Sequence, residues 1–179
     1  MSRLFVAVDL PVPVRERLAL MSCGLAGARW VPPEQFHLTL RFIGDIDKQL
    51  QDRVEDGLEE VRFAPFSMRL EGIGFFPPRG RPNVLWVGVA KNPELQQLQK
   101  RIEAAVVKGG GERDPRKFHP HITLARLKES PQNWIGRFLQ QNSLYISEDF
   151  QVREFHLYSS VLSRNGAKHF VERSFHCIG

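Results

Sequence analysis

His37-Leu38-Thr39-Leu40-Arg41-Phe42-Ile43 alternates between polar and apolar residues, and its opening pattern returns about eighty positions on as His121-Ile122-Thr123-Leu124. Successive side chains of a strand point to opposite faces, so each His shares a face with its Thr, while Leu38, Leu40, Ile122 and Leu124 can turn into a core. Both stretches therefore predict half-buried strands that present a polar dyad from a rigid backbone. Strict alternation adds Arg41 to the face of His37 and puts Arg126 on the face of Ile122 and Leu124.

Outward from these strands the chain predicts a repeated order. Leu4 to Leu10 reads as a strand and Val14 to about Leu25 as a helix, ended by Gly24 and Gly27. Trp30-Val31-Pro32-Pro33 predicts an extended turn. An amphipathic helix from Asp47 to about Val61 follows the first His strand, with Leu50, Val54, Leu58 and Val61 at helical spacing. Phe66–Phe76 and Val84–Val89 read as strands around a turn-rich Pro77–Pro82 segment, and Pro93–Val107 as a helix. The glycine-rich Lys108–Glu112 is expected to be flexible. Beyond the second His strand, Pro131–Gln141 suits a helix, and Gln151–Leu162 and Lys168–Cys177 suit strands joined by a hairpin at Ser163-Arg164-Asn165-Gly166. These elements predict an α+β fold of two mostly antiparallel sheets with flanking helices, its lobes related by a pseudo-two-fold axis around a central cleft.

A length of 179 residues suits one two-lobed domain over 1–179, and 42% hydrophobic with 25% charged residues is the composition of a soluble globular chain. A net charge of +5 favours anionic partners, although no run of like charge marks a nucleic-acid tail. Two cysteines, Cys23 and Cys177, make no disulfide framework or C-x-x-C pair, which predicts a cytoplasmic protein with reduced thiols. The opening apolar run is too short for a secretory signal, and no stretch approaches a membrane span, so no membrane partner is expected.

Two imidazoles across a cleft suit phosphodiester cleavage, because a pKa near 6.5 lets one ring be neutral and the other protonated near neutrality. The neutral ring takes a proton from water while the imidazolium protonates the departing oxygen. The hydroxyls of Thr39 and Thr123 can donate to the non-bridging phosphate oxygens. Taken alone, either His suits a structural or surface role, and the second copy turns the balance towards function. A metal site is the other chemical reading, since His119-Pro120-His121 is a His-x-His that His156, His169 or His176 could complete. No acidic or cysteine ligand is suitably spaced near His37, and His119 reads more simply as a packing or hydrogen-bonding residue. Phe5, Trp30, Phe42, Phe75, Phe76 and Tyr158 could stack on a base, although strand aromatics flanked by Leu and Val more often pack inside.

Arg3–Pro11, Arg29–Gly44, Phe118–Arg126 and Leu157-Tyr158-Ser159-Ser160 through Gly166 together resemble the RNA 2′,3′-cyclic phosphodiesterases, once described as 2′-5′ RNA ligases, of the two-histidine phosphoesterase superfamily. The resemblance covers essentially the whole chain. It implies a bilobal fold with both motifs in a central groove, no metal and no cofactor. His37 would be the proton donor and His121 the acceptor, with Thr39 and Thr123 on the phosphate, an ordering that the chemistry of the residues alone leaves open. Arg126 stands where the family is often basic and would bind phosphate if a bulge re-aims it. His169-Phe170 stands where the closing hairpin of the family often has Tyr. The implied substrate is an RNA end bearing a 2′,3′-cyclic phosphate, with no obligate protein partner, and the expected reaction is its hydrolysis to a 2′-phosphomonoester. The same acid/base pair permits 2′-5′ ligation by reversal, and a catalytically silent module that only holds RNA ends is the reading from another class.

Overall fold

The order strand, helix, His strand, helix, short strand, long strand runs twice along the chain. The computed structural model describes residues 1–179. Its first half holds β1 (Ser2–Asp9), α1 (Val12–Met21), β2 (Ala28–Trp30), a 3₁₀ turn at Pro33–Gln35, β3 (His37–Ile46), α2 (Lys48–Glu59), β4 (Phe66–Met68) and β5 (Leu70–Phe76). Its second half holds β6 (Val84–Val89), α3 (Pro93–Lys108), β7 (His121–Leu127), α4 (Gln132–Asn142), β8 (Phe150–Val152), β9 (Glu154–Ser163) and β10 (Gly166–His176).

Local chemistry sets the helix starts. Asp47 Oδ1 accepts from the Leu50 N–H at 2.8 Å to open α2, and Asn92 Oδ1 accepts from Leu95 N–H at 2.9 Å to open α3. Each such cap contributes about 1 kcal/mol by satisfying a donor that the helix cannot. Val54 and Leu58 of α2 and Leu95, Leu98, Ile102 and Val106 of α3 bury the apolar stripes that their spacing predicts. Gly57 lets the two helices close, because a Cβ there would lie 2.9 Å from the Ala105 carbonyl oxygen.

Pairing of the strands is antiparallel throughout, in sheets ordered β10-β9-β1-β3 and β2-β7-β6-β5 and a two-stranded ribbon of β4 and β8. The last long strand of each half is therefore exchanged: β5 pairs with β6 of the second half, and β9 with β1 of the first. β4 and β8, which hold equivalent places in the two halves, pair with each other. The ribbon makes a third sheet beyond the two expected. One continuous core runs through both lobes and takes in Leu38, Leu40, Ile122 and Leu124, all at most 2% exposed. No helix is long and apolar enough to cross a membrane.

Several local expectations change. Trp30 does not merely lead into a turn: Ala28–Trp30 adds an edge strand to β7. Phe66–Phe76 and Gln151–Leu162 each break at one arginine, Arg69 and Arg153. The carbonyls of these arginines accept from Ala90 N–H at 3.0 Å and Cys177 N–H at 2.7 Å, bonds that take the chain from the ribbon into the sheet. The glycine-rich 109–112 segment is pinned, since the Glu112 carbonyl accepts from Arg41 and the Gly109 carbonyl from Arg53.

Candidate active site

A matching bulge in the two His strands decides which side chains face the cleft. On β1, Asp9, Ala7 and Phe5 share a face, and opposite them on β3 stand His37, Thr39 and Phe42. On β6, Gly88, Trp86 and Val84 share a face, and opposite them on β7 stand His121, Thr123 and Arg126. The register shifts make Leu40 and Leu124 the extra residues, each buried together with the residue that follows.

Two expectations turn on this. Arg41 leaves the His37 face: it is 6% exposed, ion-paired to Glu103, and donates to the carbonyls of Phe42 and Glu112. Arg126 moves the other way, onto the face of His121 and Thr123, where its side chain is exposed. Arg29, which residue patterns did not single out, stands directly opposite Arg126 across β2 and β7 and so shares that face. Neither arginine has an acidic partner within salt-bridge distance, and two like charges held opposite each other repel, which favours an anion between or above them.

Both catalytic candidates are oriented in the same way. His37 Nδ1 lies 2.7 Å from the Gln35 carbonyl oxygen, and His121 Nδ1 lies 2.6 Å from that of His119. A carbonyl can only accept, so each Nδ1 carries its proton in both charge states and Nε2 becomes the atom that gains or loses one. Burial pushes both imidazoles below the ordinary histidine range, a shift that the bond to the carbonyl partly opposes in each.

Aromatic rings hold the imidazoles in place. Phe5 packs against His37 with ring centroids 5.0 Å apart, and His169 meets His37 edge-on at 5.4 Å. Phe76 meets His121 edge-on at 5.0 Å, and Trp86 lies 6.2 Å from it. Trp86 stands opposite Thr123 as Ala7 stands opposite Thr39, so the strand pairing and no local pattern brings the indole to the site. Tyr158 stacks on Phe5 at 5.2 Å, whereas Gly74 stands against the Trp86 ring and leaves it room. A Cβ at Gly74 would lie 2.3 Å from a carbon of the Trp86 ring. Gly74→Ala is therefore expected to cost about 1–3 kcal/mol in urea unfolding through overpacking, and a cost near zero would show that Trp86 is not held there.

Of the other candidates for base stacking, Trp30 packs on Phe138 with centroids 5.8 Å apart, and Phe42 lies under the Arg3 guanidinium at 5.4 Å. The remaining histidines do not gather. His119 rests against Phe76 and Trp86, His169 against His37, and His156 and His176 flank Glu154 at 3.5 and 3.2 Å. A cavity of about 320 Å³ opens beside His37, bounded by Phe5, Asp9, Gln35, Tyr158 and His169 among others. A larger hollow of about 1100 Å³ between α2 and α3 holds none of the paired residues.

Two lobes offering matched His-x-Thr dyads from bulged strands define the architecture of a two-histidine phosphoesterase. The chain belongs to the 2′-5′ RNA ligase superfamily, whose profile matches residues 15–163. It is 35% identical over 168 residues to the RNA 2′,3′-cyclic phosphodiesterase of Archaeoglobus fulgidus, covering 92% of this chain and 94% of that one. It is 33% identical over 171 residues to the protein of the same name from Thermotoga maritima, covering 92% and 89%. Among solved structures, TT0787 of Thermus thermophilus superposes with a TM-score of 0.82 at 31% identity over 97% of each chain. Apo LigT of Escherichia coli superposes with a TM-score of 0.79 at 26% identity, over 99% of this chain and 98% of LigT.

Proposed function

We propose that this protein hydrolyses terminal 2′,3′-cyclic phosphates of RNA to 2′-phosphomonoesters, with His37 as general acid, His121 as general base, and no metal ion. The observation that carries this reading is the matched capping of both Nδ1 atoms by backbone carbonyls, which leaves two Nε2 atoms as the exchangeable positions. His121 Nε2 takes a proton from water as the water oxygen bonds to phosphorus. The bond from phosphorus to the 3′ oxygen breaks in line, and His37 Nε2 delivers a proton to that oxygen. The product carries a 2′-phosphate and a free 3′-hydroxyl, and the rings return to their starting states by exchange with solvent.

Thr39, Thr123 and Arg126 answer the charge on the non-bridging oxygens, and in a cleft that excludes water each such donor supports the transition state by a few kcal/mol, about 3. Before substrate arrives, burial favours neutral rings, while a phosphodiester anion favours the imidazolium. Substrate binding therefore takes up the proton that the acid will use. Arg29 beside Arg126 suits a further backbone phosphate, which supports an RNA strand as the substrate. The names of the relatives support the same chemistry. The unpaired thiols of Cys23 and Cys177 suit a reducing cytoplasm.

The test is incubation with an oligonucleotide ending in a 2′,3′-cyclic phosphate, with and without chelator, across pH. A 2′-phosphate product, a rate unchanged by chelator and a bell-shaped profile with two macroscopic pKa values are expected. A 3′-phosphate product, or activity abolished by chelator and restored by a divalent ion, would overturn the assignment.

A further inference from the structure

The two histidines repeat one another in the carbonyl on Nδ1, the ring edge-on and the Thr two positions on. They differ in what stands across the strand pair. Opposite His37 is Asp9, whereas opposite His121 is Gly88. Residues directly opposite on antiparallel strands have Cβ atoms about 5 Å apart, which brings the Asp9 carboxylate within Coulombic reach of the imidazole. No acid can take the corresponding place at His121 without moving the backbone, because a Cβ on Gly88 would lie 2.8 Å from the Glu71 carbonyl oxygen. An imidazole stands beside each ring, His119 with its centroid 6.0 Å from His121 and His169 5.4 Å from His37, so the carboxylate is what separates the two surroundings.

Asp9 is itself held. The Tyr158 hydroxyl donates to Oδ1, and burial together with that bond pushes the Tyr158 phenol well above its ordinary range, so it remains a neutral donor. His156 Nε2 stands 3.6 Å from Oδ2 and 3.5 Å from Glu154, and so lies between two carboxylates.

We propose that Asp9 is a positioning residue that makes His37, and not His121, the ring on which the imidazolium forms when substrate binds, and thereby sets which histidine is the acid and which the base. The proposal rests on the hydrolytic reading above and explains an order that the matched motifs cannot supply. The groups facing His37 are Asp9 from β1, Tyr158 from β9, His169 and Lys168 from β10, Glu34 from the 3₁₀ turn, and His121 across the cleft. A charge on His169 would oppose Asp9. However, His169 Nδ1 is sealed from solvent without a hydrogen-bond partner, and burial lowers the proton affinity of the ring, so a second proton there would be stranded. Burial thus works against a charge on His169. Lys168 and Glu34 are exposed and screened by solvent. Asp9 is the carboxylate that stands directly across the strand pair from His37. Its side chain is 39% exposed, which keeps the effect modest.

Two measurements test this. The first follows the imidazole C–H resonances of His37 and His121 by NMR titration without substrate, in wild type, Asp9→Asn and Asp9→Glu. Asp9→Asn is expected to lower the His37 midpoint by roughly half to one pH unit and to move that of His121 by much less, while Asp9→Glu keeps the wild-type values. Should Asp9→Asn not fold, Asp9→Ser takes its place. An unmoved His37 midpoint would overturn the proposal even if the protein hydrolysed nothing, so its failure is separable from failure of the hydrolytic reading. The second measurement is the pH–rate profile on the cyclic-phosphate oligonucleotide. Loss of the Asp9 charge should move the alkaline limb to lower pH and leave the acid limb in place. Movement of the acid limb instead would make His37 the base and sink the proposal.

Discussion

Alanine in place of either His37 or His121 is expected to lower the rate of cyclic phosphate hydrolysis by roughly a thousandfold, within the range that a positioned acid or base contributes. In the proposed mechanism proton removal from water and proton delivery to the 3′ oxygen belong to one displacement, so loss of either ring should cost nearly the whole effect. The double substitution should then cost little more than one. Thr39→Val and Thr123→Val each remove a donor without moving a proton, and the expected loss is smaller, about a hundredfold. Single-turnover rates at pH 7 make the comparison, since they exclude product release. Retention of a tenth of wild-type activity by either alanine variant would remove that residue from the chemistry.

The second large effect concerns stability. Arg41→Ala is expected to cost about 3 kcal/mol in urea unfolding, at the lower end of what a broken buried ion pair costs. Glu103 would lose its counter-ion while only 21% exposed, and the carbonyls of Phe42 and Glu112 would lose their donor. Arg41→Leu combined with Glu103→Leu should recover part of this, because removing both charges leaves neither stranded. A single-substitution cost below about 1 kcal/mol would mean that water satisfies these groups. Activity should fall as well. Arg41 ties the strand carrying His37 to the segment leading into His121, and Glu103 accepts from Asp114 N–H at 3.0 Å in that same segment. The pair thus holds the two imidazoles in relation to each other through an interaction outside the cleft.

The His-x-Thr strands were legible because a two-residue period is a local property. His37 and Thr39 stand on one face and Leu38 and Leu40 on the other whatever the rest of the chain does. The capped helices α2 and α3 were legible for the same reason, their signals lying within a turn of the residues they govern. Alternation failed at Leu40 and Leu124, since a bulge depends on the register of a neighbouring strand that no local period encodes. Arg41 and Arg126 consequently exchanged faces relative to expectation. Trp86 and Arg29 were missed for a related reason. Each reaches the site only through pairing with β7, from segments about forty and about a hundred residues away in the chain.

What the sequence by itself determined is the chemistry on offer: two imidazoles, each with a hydroxyl two positions on, carried by strands whose other face must be buried. Only the tertiary structure decided how those groups are held and charged. Strand exchange between the halves brings β9 beside β1 and so places Tyr158 against Asp9. Pairing of β1 with β3 sets Asp9 opposite His37, while close packing of β5 on β6 leaves room only for Gly88 opposite His121. The two motifs are nearly identical as text, and in the reading proposed above the asymmetry between proton donor and proton acceptor comes from long-range neighbours, because Coulombic interaction depends on distance in space and not along the chain.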